Sequence, residues 1–345
     1  MSMVRSVSVV IPVYNAERFV EGAVRSALAL PEVLEVILVE DASPDGALEL
    51  CRRLASEHAN VFLHQHPDQG NHGSGASRNL GISKARGTYV AFLDADDLFL
   101  PDRFAAERRI FAEHADADGV YGALGVLYHD EAARTHFASI GQAEVTTVCW
   151  PAAPEQLFRC LIETGKGFGY FSIVALTVKR SALAVLNPIF PIELALHQDT
   201  DFLLRLAFQA RLYPGNIEEP VALRGVHASN RITHNTRESY TRHLLYTQLW
   251  AWARTTPMEL SLKRRIQAEH LRFAILNTQG TFRLLLFARH FIGNAWALNT
   301  MDLRQAYFDS LLGDNSKASQ LMQKATWRLL NGLVSKASTS VDTTR

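Results

Sequence analysis

Two kinds of hydrophobic pattern alternate along the first hundred residues. Val7-Ser8-Val9-Val10-Ile11-Pro12-Val13 is a β-branched run interrupted by a proline, the signature of a buried strand. Phe19, Val20, Ala23, Val24, Ala27 and Leu28 then recur at helical spacing within residues 16–30. The pair repeats: Val36-Ile37-Leu38-Val39 predicts a second strand, and Leu48, Leu50, Cys51 and Leu54 predict the helix that follows it. A third strand is predicted over 60–64, a third helix over 75–85 and a fourth strand over 88–93. Strands and helices alternating at this spacing predict an α/β fold, with a parallel sheet covered by helices on both faces. In such a sheet a ligand sits beyond the carboxyl ends of the strands, and the polar clusters of this chain fall at those ends.

Residues 103–224 mix helical patterns with short strands, one of them predicted over 173–178, and include Gly165-Lys166-Gly167-Phe168-Gly169. From Glu238 onward Pro257 is the only proline. Amphipathic spacing through Leu249, Trp250, Trp252, Ile266, Leu271, Phe273, Leu284, Phe287 and Phe291 predicts an all-helical region there. The Ser- and Thr-rich tail from Ser335 is expected to fray. The expected division is an α/β domain over 1–235 and a helical C-terminal region over 236–345.

Composition narrows the function classes. A chain of 345 residues with 48% apolar residues has ample material for a core and is long enough for two or three domains. Thirty-five basic against 35 acidic residues, a formal net charge of +0, argue against the broad positive field of a non-specific nucleic-acid binder. Cys51, Cys149 and Cys160 are odd in number and lack a CxxC pair, so neither a disulfide framework nor a structural zinc site is expected, and a reducing cytoplasm is the simplest compartment. Charge-free stretches such as 167–178 fall short of the roughly 18 residues a membrane-spanning helix needs. The run at 7–13 is too short, and too soon followed by Asn15, Glu17 and Arg18, to read as a signal peptide.

An alternating β-α chain most often binds a dinucleotide or a nucleoside triphosphate, yet both signatures are missing. The dinucleotide fingerprint needs glycines directly after the first strand, where this chain has Val13-Tyr14-Asn15-Ala16. Gly70-Asn71-His72-Gly73-Ser74-Gly75 follows the third strand instead, and no GxxxxGK[ST] is present. What the strand ends supply is carboxylate. On an extended chain Asp94 and Asp96 of Asp94-Ala95-Asp96-Asp97 would project to one side and converge on one ligand. Like charges so close repel, and a divalent cation such as Mg²⁺ or Mn²⁺ is the usual way to keep them ionised together. The structural alternative is that they cap a helix beginning near Leu98 or Pro101.

Taken together, Val9-Val10-Ile11-Pro12-Val13-Tyr14-Asn15, Val39-Glu40-Asp41-Ala42-Ser43-Pro44-Asp45-Gly46, Gly75-Ala76-Ser77-Arg78-Asn79-Leu80-Gly81 and Ala91-Phe92-Leu93-Asp94-Ala95-Asp96-Asp97 resemble, in order and interval, the family 2 glycosyltransferases. The resemblance covers about the first 230 residues and is most specific over the first hundred. It implies a GT-A fold with a donor half over 1–100 and an acceptor half over 101–235. It also implies a nucleotide-diphospho-sugar donor, most simply UDP-linked, and Mn²⁺ or Mg²⁺ as cofactor. Carried over by motif, Pro12 and Tyr14 belong to the donor site, with Tyr14 flanking the nucleobase. Asp41 accepts a hydrogen bond from the base, Arg78 lies near base or diphosphate, Asp94 contacts the ribose and Asp96 the metal. For each a structural alternative stands: Asp41 as a helix cap or turn residue, Arg78 as a solvated helix residue, Tyr14 as ordinary core.

Direct displacement with inversion at the sugar carbon also needs a carboxylate to take the acceptor's hydroxyl proton. Leu196-His197-Gln198-Asp199-Thr200-Asp201 resembles the family's Glu-Asp element at a helix start, which makes Asp199 the expected general base. Gln198 stands where the family usually has Glu, and Asp201 is either a competing base or a helix cap. Arg224-Gly225-Val226-His227 resembles the family's later Arg-x-x-His segment, making His227 a candidate metal or phosphate contact. His64, His66 and His72 lack zinc spacing and are read as loop residues. Trp250, Trp252 and the apolar-basic stretch over 282–290 would either pack against protein, including a second copy of the chain, or lie on a membrane carrying a lipid-linked acceptor. The expected activity is a cytoplasmic inverting glycosyltransferase of cell-surface glycan biosynthesis, with peripheral association at the inner face of the membrane as an option and a glycan or lipid-linked sugar as acceptor. Its rivals are an inactive nucleotide-sugar-binding scaffold, suggested by Gln198, and a sugar nucleotidyltransferase, which would need a glycine-rich basic loop after the first strand.

Overall fold

The computed structural model describes residues 3–139, 143–163, 167–227 and 238–277. The chain divides into two compact units, Met1–Thr236 and Arg237–Arg345. The first begins with β1 (Val7–Val13), α1 (Val20–Leu28), β2 (Val33–Glu40), α2 (Ala47–Glu57), β3 (Val61–Gln65), α3 (Gly73–Lys84) and β4 (Tyr89–Phe92), the alternation that the hydrophobic pattern predicts. It continues through β5 (Leu98–Phe99), α4 (Ala105–Glu113), β6 (Gly119–Tyr121), β7 (Ala123–Tyr128), α5 (Glu131–Ser139), α6 (Pro154–Ile162), β8 (Leu176–Lys179), α7 (Arg180–Leu183), α8 (Gln198–Gln209), β9 (Leu212–Pro214) and β10 (Pro220–Val226).

Seven strands form one sheet in the order β3-β2-β1-β4-β8-β6-β9. The first four are mutually parallel, and β8 runs antiparallel to both β4 and β6. Because β-α-β crossovers are right-handed, α1 and α2, which carry the chain outward from β1 to β3, cover one face. Helix α3 returns the chain to β4 and therefore covers the other. It lies so close to β1 that a Cβ on Gly81 would run into Val10, and Ser77 beneath it is fully buried.

Two local expectations fail for identifiable reasons. The strand predicted over 173–178 opens with a 3-10 turn at Ile173–Ala175, where the Ser172 hydroxyl accepts the Val174 amide at 3.2 Å, and only then becomes β8. The helix predicted near Leu98 or Pro101 begins at Ala105, because Leu98 and Phe99 pair with Leu223 and Ala222 in a second sheet ordered β5-β10-β7. That small sheet brings the end of β10 to the turn after β4.

The amino ends of the strands are tied by buried charge. Ser8 Oγ donates to Glu35 Oε1 at 2.7 Å, and Arg86 donates to the same carboxylate through its backbone N and its Nε, each at 2.7 Å. Arg103, fully buried, is paired with Glu107, and its Nη2 donates to the Val174 carbonyl at 3.1 Å, fastening α4 to the sheet.

In the second unit α9 (Glu238–Thr255) and α10 (Leu260–Asn277) pack against each other. Leu245, Leu249 and Ala253 are buried at four-residue spacing on α9, Tyr246 stacks on Phe273 at 5.5 Å, and the buried Glu269 pairs with Arg265 at 2.9 Å. Leu284, Phe287, Phe291, the stretch over 282–290 and the tail from Ser335 lie outside the described residues. Among the described residues no helix is long and apolar enough to cross a membrane, and none of the three cysteines is in a disulfide.

Burial pushes Glu35 toward protonation, but the hydrogen bonds from Ser8 and Arg86 outweigh it and hold the carboxyl below its ordinary value of 4.5. A depressed carboxylate pKa stabilises the fold above the unfolded-state value, and that contribution is lost as pH falls through the folded-state value. Glu35→Gln is therefore expected to lower stability by about 2 kcal/mol at pH 7. In thermal unfolding followed by circular dichroism, the gap from wild type should narrow as the pH falls below 4.5.

Candidate active site

The strand order changes direction between β1 and β4: one connection leaves toward β2, while β4 is reached from the other face. A crevice opens at such a switch point, beyond the strand ends. Pro12 lies in β1 opposite Val39, and Tyr14 follows the end of that strand with 46% of its surface exposed, so it is not core. Asn15, in the left-handed region at φ 52°, turns the chain, and its amide donates to Ser43 Oγ at 3.2 Å. Glu17 N donates to Asp45 Oδ2 at 2.9 Å while Gly46 N donates to Glu17 Oε2 at 3.1 Å, a reciprocal tie between the loops after β1 and β2.

Asp41, 2% exposed, directly follows β2, and its backbone N donates to Val13 O at 2.9 Å. Its two carboxylate oxygens accept the amides of His72 and Gly73, each at 2.8 Å, and its carbonyl accepts Asn71 Nδ2 at 2.9 Å. The carboxylate thus satisfies the free N–H groups at the start of α3, where a negative charge is also favoured by the helix dipole. Asp41 caps a helix, though not the one adjacent to it in sequence. His66 lies 3.5 Å from the same carboxylate and 3.2 Å from Ser77 Oγ, and its ring packs against that of His72 at 4.4 Å. These histidines shape the loop before α3, whereas His64 is part of β3.

Helix α3 carries Arg78 into the site. The side chain is buried, and its Nη2 donates to Asp94 Oδ1 at 2.5 Å. It is not a solvated helix residue. The chain after β4 does not stay extended: Asp97 N donates to Asp94 O at 3.0 Å, closing a turn over Asp94–Asp97. Asp94 pairs with Arg78, and Asp96 Oδ2 lies 3.1 Å from His227 Nε2. Each of the two carboxylates expected at this strand end thus has a basic partner, on a turn rather than on an extended chain. Asp97 is buried, and desolvation together with the charges of Asp96 and Asp94 raises its pKa well above the ordinary value, partly offset by the Gly225 amide it accepts at 2.9 Å.

His227 is held at the end of β10 by stacking on Phe19, with ring centroids 4.6 Å apart and planes 23° from parallel, and His129 from the end of β7 lies against the same Phe19 at 4.7 Å. The approach of β10 requires Gly225, since a Cβ there would strike the Asp96 carbonyl and lie 2.8 Å from His129 Nε2. Asp96 and His227 together offer one hard oxygen and one imidazole nitrogen. A divalent ion would fit that pair only by drawing its remaining ligands from phosphate and water, a common arrangement for Mg²⁺. Among the described residues, no group of three or more His, Cys, Asp or Glu could hold an ion alone.

On the acceptor side, Asp199 sits half-buried in the first turn of α8, with Oδ1 accepting the Thr200 amide at 2.8 Å. Asp201 is committed elsewhere: buried, it receives Arg205 Nε at 2.7 Å, while Arg205 Nη1 and Nη2 donate to the Pro188 and Ile189 carbonyls at 2.9 and 2.8 Å. Gln198, 8% exposed, donates from Nε2 to Ser74 Oγ in the first turn of α3.

The sequence reading missed Phe19, His129, Asp97 and Ser74. Phe19 reads as ordinary helix-face core, and His129 has no motif around it. Asp97 was visible as the third acidic residue of its run, and Ser74 as part of the glycine-rich loop, but neither shows its partner without the fold.

Residues 8–173 match the family model described as glycosyl transferase family 2. The chain is 28% identical over 231 residues to an uncharacterized glycosyltransferase of Nostoc sp., covering 65% of this chain and 66% of that protein. It is 32% identical over 171 residues to the succinoglycan biosynthesis protein ExoO of Rhizobium meliloti, covering 48% and 46%, and 40% identical over 98 residues to the uncharacterized glycosyltransferase EpsJ of Bacillus subtilis, covering 28% and 27%. The chain thus spans less than two thirds of each of these relatives. Residues 1–349 of TarS from S. aureus, solved in complex with UDP-GlcNAc, superpose with a TM-score of 0.60 at 17% identity, covering 88% of this chain and 81% of that one. The shared fold is GT-A, a mostly parallel sheet flanked by helices.

Because Gly225 has no room for a methyl group, Gly225→Ala is expected to cost about 1–3 kcal/mol by overpacking. The loss should appear as a lower midpoint in thermal unfolding.

Proposed function

We propose, from the match of residues 8–173 to glycosyl transferase family 2, that this chain is an inverting, divalent-metal-dependent transferase. It moves a sugar from a nucleotide-diphospho-sugar, UDP-linked in our reading, to a hydroxyl of a growing glycan or lipid-linked sugar. The observation that carries this is the meeting, at the switch point of the sheet, of the Arg78–Asp94 pair with the Asp96–His227 pair. Tyr14, exposed after the end of β1, offers a ring face to a base. Asp94, with one oxygen given to Arg78, retains another for a ribose hydroxyl. Arg78 keeps the local charge from becoming purely acidic where a diphosphate must sit.

Asp96 and His227 are the residues that would hold Mn²⁺ or Mg²⁺, which when bound offsets the charge of the departing diphosphate. Asp199 takes the acceptor proton. The commitment of Asp201 to Arg205 leaves Asp199 as the carboxylate in the first turn of α8 without an ion-pair partner among the described residues. The UDP reading draws on the complexes of S. aureus TarS with UDP and UDP-GlcNAc, proteins alike in fold. The glycan reading draws on the Rhizobium meliloti relative, a succinoglycan biosynthesis protein. We assign the catalytic work to 1–235, place the enzyme in the cytoplasm at the inner face of the membrane, and leave 236–345 for contacts with membrane or a second copy.

The test is release of UDP from UDP-GlcNAc in the presence of Mn²⁺, with calorimetric binding of UDP alongside. Asp199→Asn is expected to lower turnover by about 10²–10⁴-fold, the usual contribution of a general base, while still binding UDP. Asp96→Ala is expected to remove the stimulation by Mn²⁺. Wild-type rates in both variants would refute these assignments, and tight UDP binding without turnover across a panel of donors and acceptors would replace the enzyme by a binding scaffold.

A further inference from the structure

We propose that Gln198 is a positioning residue: it locks the first turn of α8, which carries Asp199, onto the first turn of α3, the helix that carries Arg78. The proposal deepens the reading of Asp199 as base and rests on it for its kinetic part. Three observations carry it. Gln198 Nε2 donates to Ser74 Oγ, and the amide oxygen occupies the space that a Cβ on Gly75 would need, so two successive residues of α3 are shaped around this one side chain. The chain enters α8 through His197 in the left-handed region at φ 63°, without a side-chain cap. A non-glycine residue in that region is held there by its surroundings. The preceding segment is also docked on α3: Asn79 Nδ2 donates to Phe190 O at 2.8 Å, Phe190 N donates to Asn79 Oδ1 at 3.0 Å, and the Arg78 guanidinium lies 5.7 Å from the Phe190 ring centre.

Helix α3 is therefore a common support. One end of it is fixed by Asp41, its middle presents Arg78 to Asp94, and its first turn receives Gln198. Placing the base beside a donor held by the same helix is a problem of registration, and displacement of a reacting group by about 1 Å can cost about 10²-fold in rate. An amide suits the position because it donates to Ser74 without adding a further negative charge to a helix start already occupied by the Asp41 carboxylate.

The full chain is compared with Gln198→Ala, Ser74→Ala, their double variant, Gly75→Ala and Gln198→Glu. Gly75→Ala keeps every hydrogen-bonding group but pushes the glutamine amide out, and alanine does not weaken a helix. Hydrogen exchange is read first, without any donor. The amide of Asp201, bonded to His197 O at 2.9 Å, and those of the next turn are expected to lose protection in Gln198→Ala and Gly75→Ala, while α4 is unchanged. Unaltered exchange in α8 would overturn the proposal whether or not the wild type turns over UDP-GlcNAc. UDP release from UDP-GlcNAc with Mn²⁺ is read second. Gln198→Ala, Ser74→Ala and Gly75→Ala are expected to lower kcat by about 10- to 100-fold with KM for UDP-GlcNAc within about twofold of wild type. The double variant should be no worse than the more affected single one, and Gln198→Glu, which can accept from the Ser74 hydroxyl but brings a second carboxylate to the helix start, should recover part of the rate lost in Gln198→Ala. Loss of UDP affinity in parallel with kcat, or additive effects in the double variant, would overturn it in favour of a general structural role. A wild type that neither binds UDP nor releases it would count against the transferase reading, and the exchange result would still decide the lock.

Discussion

The site depends on where α3 begins. A helix start exposes N–H groups that need acceptors, and here the acceptor is the Asp41 carboxylate, delivered by the end of a different strand. That bond fixes α3 along its axis, while the close contact of Gly81 with Val10 fixes its height above β1. Once both are set, Arg78 reaches Asp94, Asn79 holds Phe190 and Ser74 meets Gln198. Asp41 is thus less an isolated ligand contact than the point from which several candidate groups take their positions. Its remaining lone pairs are compatible with a nucleobase contact as well, since a carboxylate can accept more than two hydrogen bonds.

The second constraint is charge. Asp94, Asp96 and Asp97 lie within one turn, and three carboxylates so close would repel if left alone. The fold gives each a different solution: a guanidinium for Asp94, an imidazole for Asp96, and for Asp97 burial with one backbone amide and a pKa raised toward protonation. Separating the neighbours in this way leaves two paired carboxylates at the crevice and one inside the protein. The even balance of acidic and basic residues over the whole chain conceals this local excess.

Much of the fold was readable because the β-α units are local. Each strand run and the helix after it bury their own hydrophobic pattern, so periodicity alone locates them, and the motifs fall at strand ends by chain order. The failures are nonlocal. Leu98 and Phe99 become a strand only because β10 arrives more than a hundred residues later, and Ile173 starts a turn because the serine before it offers a hydroxyl. The same limit applies in the site. Arg78 and Asp94 could be nominated by motif, but their pairing, the stacking of Phe19 on His227 and the commitment of Asp201 to Arg205 are facts of tertiary approach.

Gln198 shows how a departure from a pattern can be interpreted physically. Read along the chain, an amide in place of a carboxylate beside the expected base looks like a loss of chemistry and suggests an inactive relative. In the fold its side chain turns away from bulk solvent to Ser74, in the one direction where the neighbouring helix lacks a side chain at Gly75. A carboxylate there would share the helix start with Asp41; an amide shares it without repulsion. In our proposal the departure therefore concerns how Asp199 is held rather than whether it can accept a proton, and turnover by the wild type, not the identity of residue 198, separates the enzyme from the scaffold.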